Sequence, residues 1–313
     1  PKANILFLCA QKSIGKSINS FDKSIKKKFP KVTKISKIKW NLINVLFTAL
    51  PNGEAQKISL NIPKHVKLID LSADFRLDSI SEYKKWYKIK HLSEKLNQNS
   101  VYAVSEFVKN KLLTAKIISC PGCYPTSVLL PLLPLINTNL IKFNNIIIDS
   151  KSGYSGAGRG VHKKYANKNL YESLSVYGVG FHRHNSEIQQ ELNNWSKKNI
   201  EFTFTPHLSP MFRGILSTIY LDVKKGITIN HINSKLKKFY RNDSFVKILP
   251  VNTFLSTNDV INTNYCHLSV CKSKNKNKII ILSAIDNLIK GGAGQAVQNL
   301  NYYFGYNAKK GLV

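Results

Sequence analysis

The strongest chemical signal in the sequence is a thiol in the turn Cys120-Pro121-Gly122-Cys123-Tyr124-Pro125-Thr126. An apolar run, 116–119, precedes this turn, and a leucine-rich segment, 127–136, follows it. The pattern predicts a strand, a tight turn and a helix. Unpaired backbone N–H groups at a helix start stabilise a thiolate, so Cys123 is a candidate nucleophile with a lowered pKa. The alternative is a small buried apolar residue, a common fate of cysteine.

A second candidate cluster is His182-Arg183-His184, which comes just before a predicted helix that extends to about residue 197. A lone histidine is usually structural, but two histidines around an arginine suit proton transfer and anion binding. Only five of the 47 basic residues are arginine, and Arg76, Arg159, Arg183 and Arg213 each fall in a distinctive segment. Such placement indicates sites that need a planar, bidentate donor.

Length and composition bound the class of protein. The 313 residues, 43% of them hydrophobic, suffice for two domains with a large core. No run of about 18 apolar residues and no signal pattern is present, so we expect no membrane contact. The five cysteines follow no disulfide or zinc spacing. We therefore expect a cytoplasmic protein without a metal site.

The net charge of +30 raises the alternative of a basic nucleic-acid-binding protein. The lysines, however, are spread through the chain beside many Asn and Ile residues, and all three have A/T-rich codons. Genomic base composition explains this surface as well as DNA binding does, and no nucleic-acid-binding motif accompanies it. We expect no nucleic-acid partner.

Buried strands are predicted at 4–10, 43–50 and 66–71, with a short helix at 54–61, which indicates a parallel sheet. Ligands bind at the carboxyl ends of such strands, where the segment 70–76 lies; its charges could equally be a cap and a surface ion pair. Later in the chain we expect a flexible glycine-rich loop at 151–160 and an antiparallel strand at 202–205. Pro131 and Pro134 should bend or shorten the helix after the cysteine turn.

Together these segments resemble the N-acetyl-gamma-glutamyl-phosphate reductases, an arginine-biosynthesis family related to aspartate-semialdehyde dehydrogenase. The resemblance runs through most of the chain, in the family's order and spacing, and rests on the segments 70–77, 121–126, 152–159, 182–188, 206–214 and 286–305. It implies an α/β fold as in glyceraldehyde-3-phosphate dehydrogenase-like enzymes. An incomplete Rossmann-like parallel-sheet domain, 1–122 plus 286–313, would precede an α+β catalytic and dimerisation domain, 123–285.

The resemblance also implies a covalent mechanism. Cys123 would attack the acyl phosphate of N-acetylglutamyl 5-phosphate, phosphate would leave, and NADPH would reduce the thioester to the semialdehyde. His182 would be the acid–base residue and, as an imidazolium beside the thiol, would raise the reactivity of Cys123, with His184 as the alternative. Substrate would contact Arg183, His184, Glu187, Arg213 and Arg159. NADP would contact Ala49, Pro51, Ser72, Ser152, Gly153, Ser155, Gly156 and Asn287. A small-molecule substrate and a homodimer or homotetramer complete these expectations.

The sequence departs from the family pattern at two places. Members begin with a strand, a glycine-rich phosphate loop and a helix, whereas Pro1 matches the end of that helix, so about thirty residues are expected to be missing. Weak NADPH binding is therefore expected, and an inactive relic or fragment is an alternative. Cys120 is the second departure. A thioredoxin-like redox site does not fit the other segments, but we expect that under oxidation Cys120 can form a disulfide with Cys123 that switches activity off.

Overall fold

The computed structural model describes residues 3–157 and 172–313. Its strands are β1 (Leu8–Cys9), β2 (Val32–Thr33), β3 (Val45–Thr48), β4 (Lys67–Asp70), β5 (Ser100–Tyr102), β6 (Ile117–Ser119), β7 (Ile146–Gly153), β8 (Ser175–Val176), β9 (Phe202–Ser209), β10 (Ile215–Asp222), β11 (Val246–Ile248), β12 (Cys266–Lys272) and β13 (Lys278–Ile285). Its α-helices are α1 (Glu54–Ser59), α2 (Ile80–Tyr87), α3 (Glu94–Asn97), α4 (Ser105–Leu112), α5 (Cys123–Ile136), α6 (His184–Ser196), α7 (Ile229–Tyr240) and α8 (Gly294–Tyr303).

The first sheet has the order β3-β4-β6-β5, and all its strand pairs are parallel. Its strands therefore end at one edge, where the turns after β3, β4 and β6 meet. The predicted buried strand at 4–10 is wrong. Only β1 forms there; it pairs with β2 in a separate two-stranded sheet, and Ile5 and Leu6 are exposed. An apolar run forms a buried strand only where neighbouring strands cover it.

The second sheet has seven strands in the order β11-β12-β13-β10-β7-β9-β8. The main hydrophobic core lies between one face of this sheet and the helices α5, α6 and α7, with Ile148, Ile219 and Leu132 among its fully buried residues. Two sequence expectations are wrong here. β9 pairs parallel with β7, and antiparallel only with the short β8. The predicted flexible loop at 151–160 begins as a strand, because β7 continues to Gly153 through its pairing with β9 and β10.

Helix α5 continues through Pro131 and Pro134 to Ile136, so the predicted shortening is wrong. A proline in a helix leaves the carbonyl four residues earlier without its usual donor. For Pro134 that carbonyl belongs to Leu130, and the hydroxyl of Tyr240 on α7 donates to it at 2.5 Å. Every residue from Tyr124 to Ile136 is buried. Tertiary packing and this substitute hydrogen bond therefore sustain the helix.

The chain returns to the first sheet at its end. Ala296 on α8 packs in one apolar cluster with Ile69, Ile118 and Cys120, all from the first sheet or its edge. Within the described ranges 3–157 and 172–313, none of the helices combines the length and the hydropathy that a bilayer span requires.

Candidate active site

Cys123 is the first residue of α5, immediately after the turn that follows β6. The backbone N–H groups of Cys123 and Tyr124 both lie close enough to the sulfur to stabilise a thiolate, as the sequence predicts. Burial nevertheless outweighs these groups and raises the pKa of the Cys123 thiol to about 11. The predicted lowered pKa is therefore wrong for the free protein. The residue itself stays partly accessible, which a nucleophile requires.

Glu187, on the first turns of α6, is fully buried and joins both halves of the site. Its Oε1 accepts from Arg76 Nη1 at 3.0 Å, and its Oε2 accepts from the hydroxyl of Tyr102 and the N–H of Gly122, both at 2.9 Å. His184 Nε2 lies 3.7 Å from Oε1. Protein donors thus surround the carboxylate. This geometry suits a residue that positions the cysteine turn better than the predicted contact with substrate.

His182 and His184 lie side by side, with ring centroids 4.7 Å apart, and both contact the ring of Tyr124. The N–H of His184 donates to His182 Nδ1 at 3.1 Å. Burial, followed by the charge of Arg183, lowers the pKa of His182 to about 4. Burial, followed by His182, also lowers the pKa of His184 well below its ordinary value. Both rings are therefore neutral at pH 7, and the predicted imidazolium beside the thiol is wrong for the free protein.

The close approach of His184 to the cysteine turn requires glycine at position 122. A Cβ on Gly122 would lie 2.3 Å from His184 Nε2, which is shorter than any real contact. The residue that precedes the nucleophile thus leaves the space that this imidazole ring occupies.

The predicted anion-binding arginines take different positions. Arg213, in the turn between β9 and β10, donates to Asp286 Oδ2 at 3.3 Å and to Asn262 Oδ1 at 3.1 Å through one nitrogen, Nη1. Arg183 is exposed, and its guanidinium lies over the ring of Tyr87 at 5.4 Å. The predicted residue Arg159 lies outside the described residues.

The predicted cofactor residues form two groups. Ala49 and Pro51 are exposed in the turn after β3, and Ser72 is buried after β4, so all three lie at the carboxyl edge of the parallel sheet. Ser72 Oγ donates to Asp70 Oδ2, and Thr48 Oγ1 donates to Asp70 Oδ1, each at 2.7 Å. The Cys120 N–H donates to the Asp70 carbonyl at 2.7 Å, which ties this edge to the cysteine turn.

The second group surrounds Asn287. Its Nδ2 donates to Ser155 Oγ at 3.0 Å, and its Oδ1 accepts from the Gly214 N–H at 2.8 Å. A Cβ on Gly156 would lie 2.9 Å from Asn287 Nδ2 and 3.6 Å from Ser152 Oγ, so the predicted residues of this loop are neighbours in space. Gly153, also predicted, approaches the backbone of Phe212 so closely that a Cβ would lie 2.5 Å from its carbonyl oxygen.

Three residues of the site are absent from the predicted set. Arg76 and Tyr102 hold Glu187, and Gly291 lies so close to Cys123 that a Cβ would meet Cys123 Cβ at 2.7 Å. Arg76 carries a signal in the sequence, since arginine is scarce in this chain. Tyr102 and Gly291 have no comparable signal, because their roles depend on contacts between distant parts of the chain.

The raised pKa predicts how Cys123 reacts with iodoacetamide. A thiol with a pKa near 11 is protonated at neutral pH, so we expect its alkylation rate to increase about tenfold per pH unit between pH 7 and 10. Mass spectrometry of the Cys123 peptide measures this rate. In the urea-unfolded chain the increase should level off near the ordinary pKa of about 8.5. A plateau below pH 9 in the folded protein would contradict the prediction.

Models of two protein families match the chain. The semialdehyde dehydrogenase NAD-binding domain matches residues 1–115, and the semialdehyde dehydrogenase dimerisation domain matches residues 123–287. Among solved structures, aspartate semialdehyde dehydrogenase II of Vibrio cholerae, in complex with ASA, has a TM-score of 0.72 at 16% identity. The match covers 97% of this chain and 90% of that one. The α/β fold predicted from the sequence is confirmed, with a Rossmann-like domain and a dimerisation domain.

Curated relatives are more similar in sequence. The N-acetyl-gamma-glutamyl-phosphate reductase of Clostridium novyi is 41% identical over 319 residues, which cover 100% of this chain and 91% of that protein. An Arabidopsis thaliana protein named probable N-acetyl-gamma-glutamyl-phosphate reductase, chloroplastic, is 40% identical over 100% of this chain and 78% of its own length. This degree of identity over the whole chain, together with the two domain matches, shows that the chain belongs to the N-acetyl-gamma-glutamyl-phosphate reductase family.

Proposed function

We propose that the chain catalyses the NADPH-dependent reduction of N-acetylglutamyl 5-phosphate to N-acetylglutamate 5-semialdehyde, with release of phosphate, in arginine biosynthesis. Family membership supports the reaction and the nicotinamide cofactor. The observation that carries the proposal in this structure is the position of Cys123. Cys123 is a partly accessible thiol at a helix start, and its neighbours Gly122 and Tyr124 lie against the neutral imidazoles of His182 and His184, an arrangement that suits covalent acyl transfer.

The thiol must lose its proton before it attacks the acyl carbon. We assign this proton to a neutral imidazole, with His182 as the acceptor and His184 as the alternative. An anionic substrate bound beside these rings raises their pKa values, because a nearby negative charge favours the protonated form. The N–H groups of Cys123 and Tyr124 then stabilise the thiolate that forms. Attack produces a thioester on Cys123, and the phosphate leaves.

Arginine side chains supply the charge that an anionic substrate needs. Arg213 uses only Nη1 in its hydrogen bonds to Asp286 and Asn262, and within the ranges 3–157 and 172–313 its other N–H groups have no hydrogen-bond acceptor. The Arg213 side chain is 29% exposed, whereas the side chain of its ion-pair partner Asp286 is fully buried. We propose that Arg213 and the exposed Arg183 bind the phosphate or the carboxylates.

The residues at the sheet edge fit a dinucleotide. The exposed turn at Ala49 and Pro51 follows the parallel strand β3, and backbone at this position of a parallel sheet approaches dinucleotides closely. The second group, around Asn287, packs closely, since a Cβ on Gly156 would lie 2.9 Å from Asn287 Nδ2. NADPH, when bound, supplies the hydride that reduces the thioester carbonyl. We propose that Ser72, Ser152 and Asn287 orient it.

The match to a dimerisation domain supports an oligomer, and we propose a homodimer or a homotetramer. One face of the seven-stranded sheet is left uncovered by α5, α6 and α7, and there Ile147 is 38% exposed while Leu216 and Ile280 are partly exposed. We propose that a second copy covers this face. Light scattering after size exclusion should give the mass of two or four chains, and Thr218→Arg, in the middle of the face, should give the mass of one. We also propose a cytoplasmic location, since all five cysteines are free thiols.

The reverse reaction tests the proposed function. We expect NADPH to form from N-acetylglutamate 5-semialdehyde, NADP and phosphate, with absorbance at 340 nm as the readout and no formation when phosphate is omitted. Aspartate semialdehyde is the matched control substrate. A higher kcat/KM for aspartate semialdehyde than for N-acetylglutamate 5-semialdehyde would assign the chain the activity of an aspartate-semialdehyde dehydrogenase. A folded chain that turns over neither semialdehyde would contradict the proposal and favour the inactive relic.

A further inference from the structure

A buried ion pair lies behind the turn that contacts Cys123. The side chains of Lys290 and Glu106 have no exposed surface, and Lys290 Nζ lies 2.5 Å from Glu106 Oε1. Removing two charges from water is costly, and apolar residues of similar volume often stabilise a fold as well as such a pair does. Fold stability alone therefore does not explain why this ion pair is present.

The pair connects three separate segments of the chain. Glu106 belongs to α4, Lys290 to the π-helical turn Ile289–Ala293, and Gln298 to α8. Gln298 accepts from Lys290 Nζ at 2.8 Å and donates to Glu106 Oε1 at 2.9 Å. Asn264 Nδ2 also donates to Gln298 Oε1, at 2.8 Å. Because these bonds join Lys290 to Glu106 on α4 and to Gln298 on α8, they fix the π-helical turn relative to both helices.

The next residue in this turn touches the nucleophile. A Cβ on Gly291 would lie 2.7 Å from Cys123 Cβ and 3.1 Å from Cys123 Cα, so the backbone of the turn packs directly on Cys123. The turn is irregular, because Gly292 within it has a φ of −161° and a ψ of −107°, which are not helical. Any movement of Lys290 shifts Gly291, since the two residues are adjacent.

We propose that Lys290 and Glu106 are positioning residues of the reductase: their ion pair holds Gly291 against Cys123 and so fixes where the nucleophilic sulfur lies. This inference rests on the proposed function only in taking Cys123 as the nucleophile.

Loss of the pair should have two opposite effects. A displaced nucleophile lowers kcat, because an error of about 1 Å can reduce a rate up to about 100-fold. A loosened turn also lets water reach the thiol, which lowers the pKa that burial now raises. The other groups that act on this thiol, Arg76, Glu187 and Tyr124, stay in place.

The test uses the double variant Lys290→Met with Glu106→Gln, which removes both charges together and leaves no unpaired buried ion. In the absence of substrate and cofactor, we expect iodoacetamide to alkylate Cys123 at pH 8 about tenfold faster than in the unmodified chain. We expect kcat to fall about tenfold. The buried Cys120 and Cys271 should stay unmodified, which shows that the variant remains folded.

The matched control is Lys109→Met with Asp243→Asn. Lys109 lies on the same helix as Glu106 and pairs with Asp243 at 3.3 Å, and among the described residues neither makes a hydrogen bond or ion pair with the turn. In this control, iodoacetamide should alkylate Cys123 at the same rate as in the unmodified chain. An unchanged alkylation profile in the Lys290–Glu106 variant would overturn the proposal.

If the double variant does not fold, Gln298→Leu replaces it in the test. This substitution keeps both charges and removes only the amide between them, and it should also increase the alkylation rate of Cys123. Alkylation requires neither substrate nor cofactor, so it is measurable even if the unmodified chain has no reductase activity. In that case, faster alkylation of Cys123 in the double variant would support the positioning role, while the lack of activity would contradict the proposed function.

Discussion

Cys123→Ser should lower the phosphate-dependent formation of NADPH from N-acetylglutamate 5-semialdehyde at least about 1,000-fold, as expected when a covalent nucleophile is removed. Serine has nearly the same shape, so the turn, the helix start and the contact with Gly291 should persist. A hydroxyl at this position is far less ionised than a thiol, even one whose pKa burial has raised to about 11.

The control for this prediction is the same replacement three residues earlier. Cys120 is buried, burial raises its pKa to about 12, and its sulfur accepts from Asn299 Nδ2 at 3.8 Å, a bond that serine retains. Cys120→Ser should therefore keep most of the activity. Equal losses of activity in Cys123→Ser and Cys120→Ser would show that activity depends on an intact turn and not on the Cys123 thiol.

Glu187→Gln should lower the free energy of unfolding by about 3–5 kcal/mol, the usual cost of removing one partner of a buried ion pair. Arg76 would remain at the site, largely buried, with its Nη1 facing the new amide group. An amide has one acceptor oxygen for the three donors that the carboxylate now accepts from. Urea titration followed by fluorescence measures the difference in unfolding free energy.

The same replacement should also lower kcat, because Glu187 holds the Gly122 N–H just before the nucleophile and lies beside His184. Glu191→Gln, one turn further along α6, is the matched control. Burial raises the pKa of Glu191 to about 7, and its hydrogen bond is with the adjacent Gln190, so its loss should cost little at pH 7. Equal urea midpoints for the two variants would contradict a central role for Glu187.

Local patterns were sufficient for the elements that carry the site. The strand, turn and helix around Cys123 lie where the sequence predicts them, as do the parallel strands β3, β4 and β6. These features depend on residues close in sequence: apolar runs, glycine and proline in turns, and a helix start after a strand. The family resemblance, which used several ordered segments, is confirmed.

Contacts between distant residues were not predictable in this way. Glu187 and Arg76 are 111 residues apart, and no local pattern indicates that they pair. The Cys123 pKa was mispredicted for the same reason, since the helix start is visible in the sequence but the burial around the thiol is not. Likewise, the donor that compensates for Pro134 comes from Tyr240 on another helix, 110 residues away from its acceptor.

The chain passes from the four-stranded sheet to the seven-stranded sheet and later returns to pack on the four-stranded sheet, and both passages meet at the nucleophile. The first runs from β6 into α5, where Cys123 lies, and the second runs from β13 to α8 and brings Gly291 against Cys123. Glu187 on α6 also bonds to Arg76, which follows β4, and to Tyr102, the last residue of β5, so the sulfur lies where both passages and these side chains join the two parts of the chain. A substitution in either passage therefore acts directly on the nucleophile.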